Sequence, residues 1–214
     1  GGPAKGIIVR EIDALGGQMP KTADKTYLQM KMLNTAKGPG VQSLRAQADK
    51  KVYPRYMQEV LKKQENLDII EGMVEDLIVE DNCVKGVILD NGQTIEGRMV
   101  ILTTGTYLKA EILCGDQKHA SGPDQQKESK YLSEKLANLG MRIQRLKTGT
   151  PPRVEINSVD YSKTSLQPGT DANLAFSYQT NEFIPIEEQT PCYLTYTNEK
   201  THQIIRDNLH RSSM

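Results

Sequence analysis

Two short runs gather the residue types that grip phosphates and flat ring systems. G-G-P-A-K-G-I-I-V-R-E-I-D-A-L-G-G fills Gly1 to Gly17, and R-L-K-T-G-T-P-P-R fills Arg145 to Arg153. Glycine lets a backbone approach an anion or a ring closely, and lysine and arginine supply donors that stay charged at neutral pH. Both runs read as loop rather than core. Thiol and metal chemistry find no such pattern. Cys83, Cys114 and Cys192 are odd in number and far apart, which rules out a disulfide framework and any C-x-x-C pair. His119, His202 and His210 lack ligand spacing, so no metal site is expected.

The elements that must position these residues come from a chain with little core to spare. Of 214 residues 37% are hydrophobic, and the aromatics are nine Tyr and two Phe with no Trp. Such amphipathic rings suit surfaces that meet a ligand, another domain or another subunit. No apolar run approaches the ~18 residues of a membrane span, so no membrane partner and a cytoplasmic location are expected. The net charge of zero hides a division: residues 1–63 hold twelve Lys/Arg and five Asp/Glu, whereas residues 64–100 hold two and nine. A basic first third is the footprint of a polyanion partner, although solvated helix faces give the same count.

Periodicity predicts α/β organisation. The first segment reads as a loop leading into a short helix that ends at Gly16-Gly17. Thr35 to Gly40 is a turn, and Ser43 to Gln64 reads as one amphipathic helix with a kink or break at Pro54. Leu67–Glu71, Met73–Glu80, Val84–Leu89 and Gln93–Glu96 read as short strands of a small meander, with Asn91-Gly92 as the hairpin turn between the last two. Arg98 to Gly105, R-M-V-I-L-T-T-G, reads as a strand buried on both faces, with T-T-G-T at the strand end where open α/β sheets bind ligands. A helix over Glu128–Asn138 capped by Gly140, a strand over Met141–Lys147, a strand over Cys192–Thr197 and a helix over Lys200–Leu209 complete the reading. Residues 157–189 are polar and without period. A boundary is placed near residue 150.

Six blocks, in order, carry a resemblance: G-G-P-A-K-G-I-I-V-R-E-I-D-A-L-G-G, M-L-N-T-A-K-G-P-G-V-Q-S-L-R-A-Q-A-D, V-E-D-L-I-V-E, L-T-T-G-T-Y-L, R-L-K-T-G-T-P-P-R and C-Y-L-T-Y-T-N-E-K-T-H-Q-I-I-R-D-N-L. Together they resemble successive segments of the MnmG (GidA) family of tRNA-modifying flavoproteins. The resemblance implies part of a glutathione-reductase-like FAD-binding Rossmann domain over residues 1–150 and the start of an inserted nicotinamide-binding domain over 151–214. It further implies a homodimer working with an MnmE-type GTPase, and FAD, NADH and methylenetetrahydrofolate as cofactors and carbon donor. The implied reaction adds an aminomethyl or carboxymethylaminomethyl group at C5 of the wobble uridine of tRNA. The family's N-terminal G-x-G-x-x-G unit and its two proposed catalytic thiols have no counterpart here. The resemblance therefore implies an internal piece, inactive alone, with no catalytic residue of its own. TrmFO, a folate- and FAD-dependent tRNA uridine methyltransferase, shares the general fold, and a non-catalytic RNA-binding or dimerisation remnant is a third reading.

Roles carry over residue by residue. Val74 matches the position whose backbone meets the adenine of FAD, and Ser129 matches a second FAD position through a divergent loop at Ser121–Asp124. Thr104, Gly105 and Thr106 should border the cofactor, although Ala110 departs from the family's usual glycine. Gly1, Gly2, Lys5 and Gly6 resemble the loop beside the flavin ring. Lys37, Arg45, Arg145, Lys147 and Arg153 are the candidates for tRNA phosphates, by charge and loop context. Arg145 and Lys147 could equally clamp a domain boundary.

Overall fold

The structure is a computed structural model that describes residues 3–212. In chain order its elements are α1 (Pro3–Ala14), α2 (Gln18–Thr26), β1 (Tyr27–Leu33), β2 (Ser43–Ala48), α3 (Val52–Lys62), β3 (Val74–Glu80), β4 (Cys83–Leu89), β5 (Thr94–Glu96), β6 (Glu111–Cys114), β7 (Gln117–Ala120), α4 (Leu132–Asn138), β8 (Ser165–Gln167), β9 (Cys192–Leu194) and α5 (Glu199–Asp207), with short 3-10 turns between them. The fold is mixed α/β. Two compact units divide the chain: the residues up to Ile69 with Val154–Tyr196, and Ile70–Arg153 with the residues from Thr197 onward. One crossing, at Arg153, falls beside Pro151-Pro152.

In the first unit β1 and β2 form an antiparallel hairpin, Lys31 opposite Arg45 and Met32 opposite Leu44. One face of the hairpin belongs to the core: Met30 and Leu44 pack with Val9, Tyr27 and Phe176. The expected loop at Lys5 and Gly6 is helical instead, because α1 lies on β2. A Cβ on Gly6 would stand 2.4 Å from Ser43 Oγ and 2.7 Å from the Leu44 carbonyl, so glycine here permits a helix–strand contact. Gly1 and Gly2 lie outside the described residues. The helix stops as expected, with Gly16 at φ +84° and the Gly17 amide on the Ile12 carbonyl.

The free edge of β1 would leave backbone groups without partners. The polar 165–190 stretch closes it. The amides of Thr170 and Thr190 donate to the Met30 and Leu28 carbonyls at 3.0 and 2.8 Å. Gln189 Oε1 accepts the Met30 amide at 2.9 Å and Thr170 Oγ1 accepts the Met32 amide at 2.9 Å. Hydrogen bonding rather than apolar period orders this segment, which is why its sequence carries no period.

The second unit is built on the meander β3-β4-β5, turned at Gly92 with φ +81° as the Asn-Gly pair predicts. Leu77 of β3 packs against Leu132 and Leu136 of α4, with Val74, Val79, Val87, Val100 and Leu108 around them. β6 and β7 make a separate hairpin. The 98–105 and 141–147 segments are not strands: Val100 reaches the core, but Met99 and Ile101 are 88% and 85% exposed and residues 141–150 lie at the surface. Buried strands need a neighbour on each side, and among the described residues no strand pairs with either segment. Leu67–Glu71 is likewise irregular and exposed. No described helix is long and apolar enough to cross a membrane.

Candidate functional site

Five of the residues expected at a cofactor converge in the second unit. β3 is an edge strand, and its pairing with β4 shifts register between Val74 and Asp76, so Glu75 sits in a bulge and the outward backbone of β3 meets no second strand among the described residues. Ser129 comes to that edge. Its hydroxyl lies 3.5 Å from the Val74 carbonyl, its amide donates to the Tyr107 carbonyl at 2.9 Å and its carbonyl accepts the Lys109 amide at 2.8 Å. Leu108 and Ser129 thereby form an isolated parallel bridge. Thr104, Gly105 and Thr106 lead directly into that bridge, through a turn closed by the Tyr107 amide on the Thr104 carbonyl at 3.2 Å and eased by Gly105 at φ +56°.

Open backbone N–H and C=O groups read a ring edge whatever the side chain, and the buried Ser129 fixes the wall beside them. Ion pairs stiffen the surroundings: Lys135 of α4 meets Asp76 at 2.8 Å and Lys127 meets Asp90 at 3.0 Å. Burial works against the Asp76 charge, and the Lys135 hydrogen bond with the Leu77 amide outweighs it, holding the carboxyl below its ordinary range. Lys5 and Gly6 belong to the other unit.

The basic candidates divide too. Lys37 stands exposed in the turn after β1, its amide on the Asn34 carbonyl at 2.9 Å. Arg45 of β2 points a guanidinium nitrogen at Gln29 Oε1, 3.5 Å away. In the other unit Arg145 is engaged by the Lys109 carbonyl at 3.3 Å and by Glu111 at 3.6 Å, both partners within that same unit. Lys147 and Arg153 are exposed and make no ion pair among the described residues. Cys83 and Cys114 are exposed, and the half-buried Cys192 has its thiol 3.6 Å from Gln29 Oε1. Among the described residues no three His, Cys, Asp or Glu gather as a metal site would require.

Sequence reasoning missed a polar cluster in the first unit, because its members are single Asp, Gln and Lys residues in unrelated segments. Asp13 of α1 and Asp24 of α2 hold the amides of residues 176–178. Gln29, 1% exposed, donates to the carbonyls of Gln167 and Thr190 at 3.0 and 3.3 Å. Lys31 stands directly across from Arg45. Only the β1–β2 register reveals that neighbour.

A family model described as "Glucose inhibited division protein A" matches residues 1–214. The tRNA uridine 5-carboxymethylaminomethyl modification enzyme MnmG of Geobacillus kaustophilus is 57% identical over 214 residues, which cover 100% of this chain and 34% of that protein. The enzyme of the same name from Bacillus subtilis is 55% identical with the same coverage. Aquifex aeolicus GidA, in its form I crystal, superposes with a TM-score of 0.90 at 46% identity, over 99% of this chain and 36% of that one. The chain thus spans about a third of the length of the curated relatives it matches. Matched by the family model from its first residue to its last, the chain belongs to the glucose inhibited division protein A (GidA) family.

Proposed function

We propose that the chain is the part of a flavin-dependent tRNA-modifying enzyme that holds one end of FAD and faces the RNA. The whole protein would act on C5 of the wobble uridine with FAD, NADH and a methylenetetrahydrofolate carbon, as a homodimer beside an MnmE-type GTPase. The observation that carries this reading is the end-to-end likeness to enzymes named for tRNA uridine 5-carboxymethylaminomethyl modification. The geometry supports a division of labour. Val74 offers backbone groups to the adenine at the open β3 edge, Ser129 anchors the neighbouring wall, and Thr104–Thr106 turn beside them. FAD, when bound, supplies the redox chemistry, and the protein supplies position and field. Lys37 and Arg45 meet RNA phosphates, while Arg145, already held by Lys109 and Glu111, orders the segment that carries Lys147 and Arg153.

The test is complementation. Cells lacking their own enzyme receive the complete polypeptide, its flavin is read by absorbance, and tRNA nucleosides are analysed by mass spectrometry. Restored C5-aminomethyl-type uridine with bound flavin is the expected result. 5-Methyluridine in its place would instead favour the folate-dependent methyltransferase, and RNA binding without flavin or modification would favour a binding module. Ser129→Ala should loosen flavin retention without unfolding the protein, because the backbone contacts of Ser129 survive the change.

A further inference from the structure

On the β1–β2 hairpin Lys31 and Arg45 are antiparallel partners, so their side chains leave the same face with Cβ atoms about 4.5–5.5 Å apart. Like charges directly opposite on a sheet destabilise it. A structural pair would be expected to recruit a carboxylate. Here each cation rests on a neutral amide: Lys31 Nζ donates to Gln167 Oε1 at 3.1 Å, and an Arg45 guanidinium nitrogen to Gln29 Oε1 at 3.5 Å. Among the described residues neither meets Asp or Glu. Gln29 is itself fixed by the Gln167 and Thr190 carbonyls, so the guanidinium is aimed by a buried, immobile group while its charge stays uncompensated. The contrast lies in the same unit, where Lys25, on a cavity of about 160 Å³, is paired with Glu182.

Two oriented, unneutralised cations on a rigid hairpin face form an anion clamp. We infer that Lys31 and Arg45 together grip the phosphodiester backbone of the substrate RNA, with the exposed Lys37 at the end of the same hairpin extending the track. This rests on the tRNA reading above and adds to it Lys31, the cross-strand clamp and the energetic reason for the like-charge pair: the repulsion is relieved when RNA binds.

The experiment uses the complete polypeptide with unmodified substrate tRNA and follows affinity by fluorescence anisotropy over a salt series, beside thermal unfolding without RNA. Lys31→Gln and Arg45→Gln should each weaken binding by about tenfold and make the slope of log K against log salt shallower by about one. Arg45→Lys should keep the slope. Without RNA, Lys31→Gln should unfold at the same temperature or a degree or two higher, because repulsion is removed. A lower midpoint would make the pair a structural tether and overturn the inference, as would wild-type affinity and slope in both Gln variants. If inorganic phosphate stabilises the wild type but not the Gln variants while tRNA binding is unchanged, the clamp serves a small phosphate ligand and the RNA assignment falls. Failure of the wild type to bind tRNA would overturn the tRNA reading itself, and the clamp with it.

Discussion

Asp24 shows how much of the first unit hangs on single carboxylates. It is 4% exposed and spends both oxygens: Oδ1 accepts the Phe176 amide at 2.9 Å, and Oδ2 accepts the Ser177 amide at 2.8 Å and the Thr180 hydroxyl at 2.7 Å. Asp24→Asn turns one acceptor into a donor that faces donors. We expect a loss of about 2–4 kcal/mol, read by denaturant unfolding, with residues 176–180 becoming protease-sensitive first. Asp13 does related work one helix earlier, accepting the Tyr178 amide at 2.9 Å. Burial opposes its charge, but the Ser177 hydroxyl, the Tyr178 amide and nearby Lys21 outweigh burial and hold its carboxyl below the usual carboxylate range. Oδ1 nonetheless has no hydrogen-bond partner of good geometry among the described residues, so the Tyr178 bond is the firmer contact. A folded-state pKa below the unfolded one means stability that is present above the unfolded value, near pH 4, and lost as pH falls through the folded value. Acid unfolding of the first unit should therefore begin below about pH 4, and Asp13→Asn should make stability less steeply pH-dependent there while lowering it at pH 7. Unchanged acid profiles would remove Asp13 from this role.

At the scale of elements, the hairpin strand β2 is where sequence and structure part. S-L-R-A-Q-A is made of good helix formers, and it runs into a true helix, so a single amphipathic helix from Ser43 is the natural reading. Pairing with β1 and contact with α1 override that propensity. The break was nonetheless legible in two residues. Asp49 Oδ1 accepts the amides of Lys51 and Val52 at 2.7 and 2.9 Å, the signature of a helix start, and Pro54 follows as the third residue of α3. The break comes before the proline, and α3 runs unbroken through it. β3, β4, β5, α4, α5 and the Gly16 and Gly92 turns could be read because local chemistry decides them. The helical α1 at Lys5 and Gly6, α2, β1 and the Lys31–Arg45 register could not, since each is settled by a partner distant in sequence. The same holds at the candidate site, where Val74 and Ser129 came from resemblance and only the fold set them side by side. Asp49→Ala should lower the thermal midpoint by a few degrees, with Asp49→Ser recovering most of it. Equal midpoints for all three forms would show that the cap contributes nothing.

At the scale of the molecule, the misread segments point outward. R-M-V-I-L reads as a strand covered on both sides, and in the structure only Val100 finds a core while Met99 and Ile101 face solvent. In the 141–146 segment Met141, Ile143 and Leu146 are exposed as well. Scattered apolar side chains on a surface need no explanation, but an uninterrupted apolar run such as Met99–Leu102 left at the surface is the mark of a segment that lacks a neighbour. The backbone of the chain nevertheless matches that of a GidA chain nearly three times as long over 99% of its length. That solved chain carries further residues outside the matched part, and counterparts of them beside this chain would cover these runs. In the 214-residue chain by itself, Ile101→Lys replaces one exposed side chain by another and should shift stability by no more than about 0.5 kcal/mol, with less binding of a hydrophobic dye than the parent. In a longer polypeptide that covers the run the same change would bury an unpaired ammonium and should cost about 3–5 kcal/mol, seen as loss of soluble protein or a large fall in midpoint. Met99→Lys should behave alike, whereas Lys118→Ala, on the exposed β7 hairpin, should be mild in both forms. Equal, small effects of Ile101→Lys in both forms would mean that the apolar run stays at a surface.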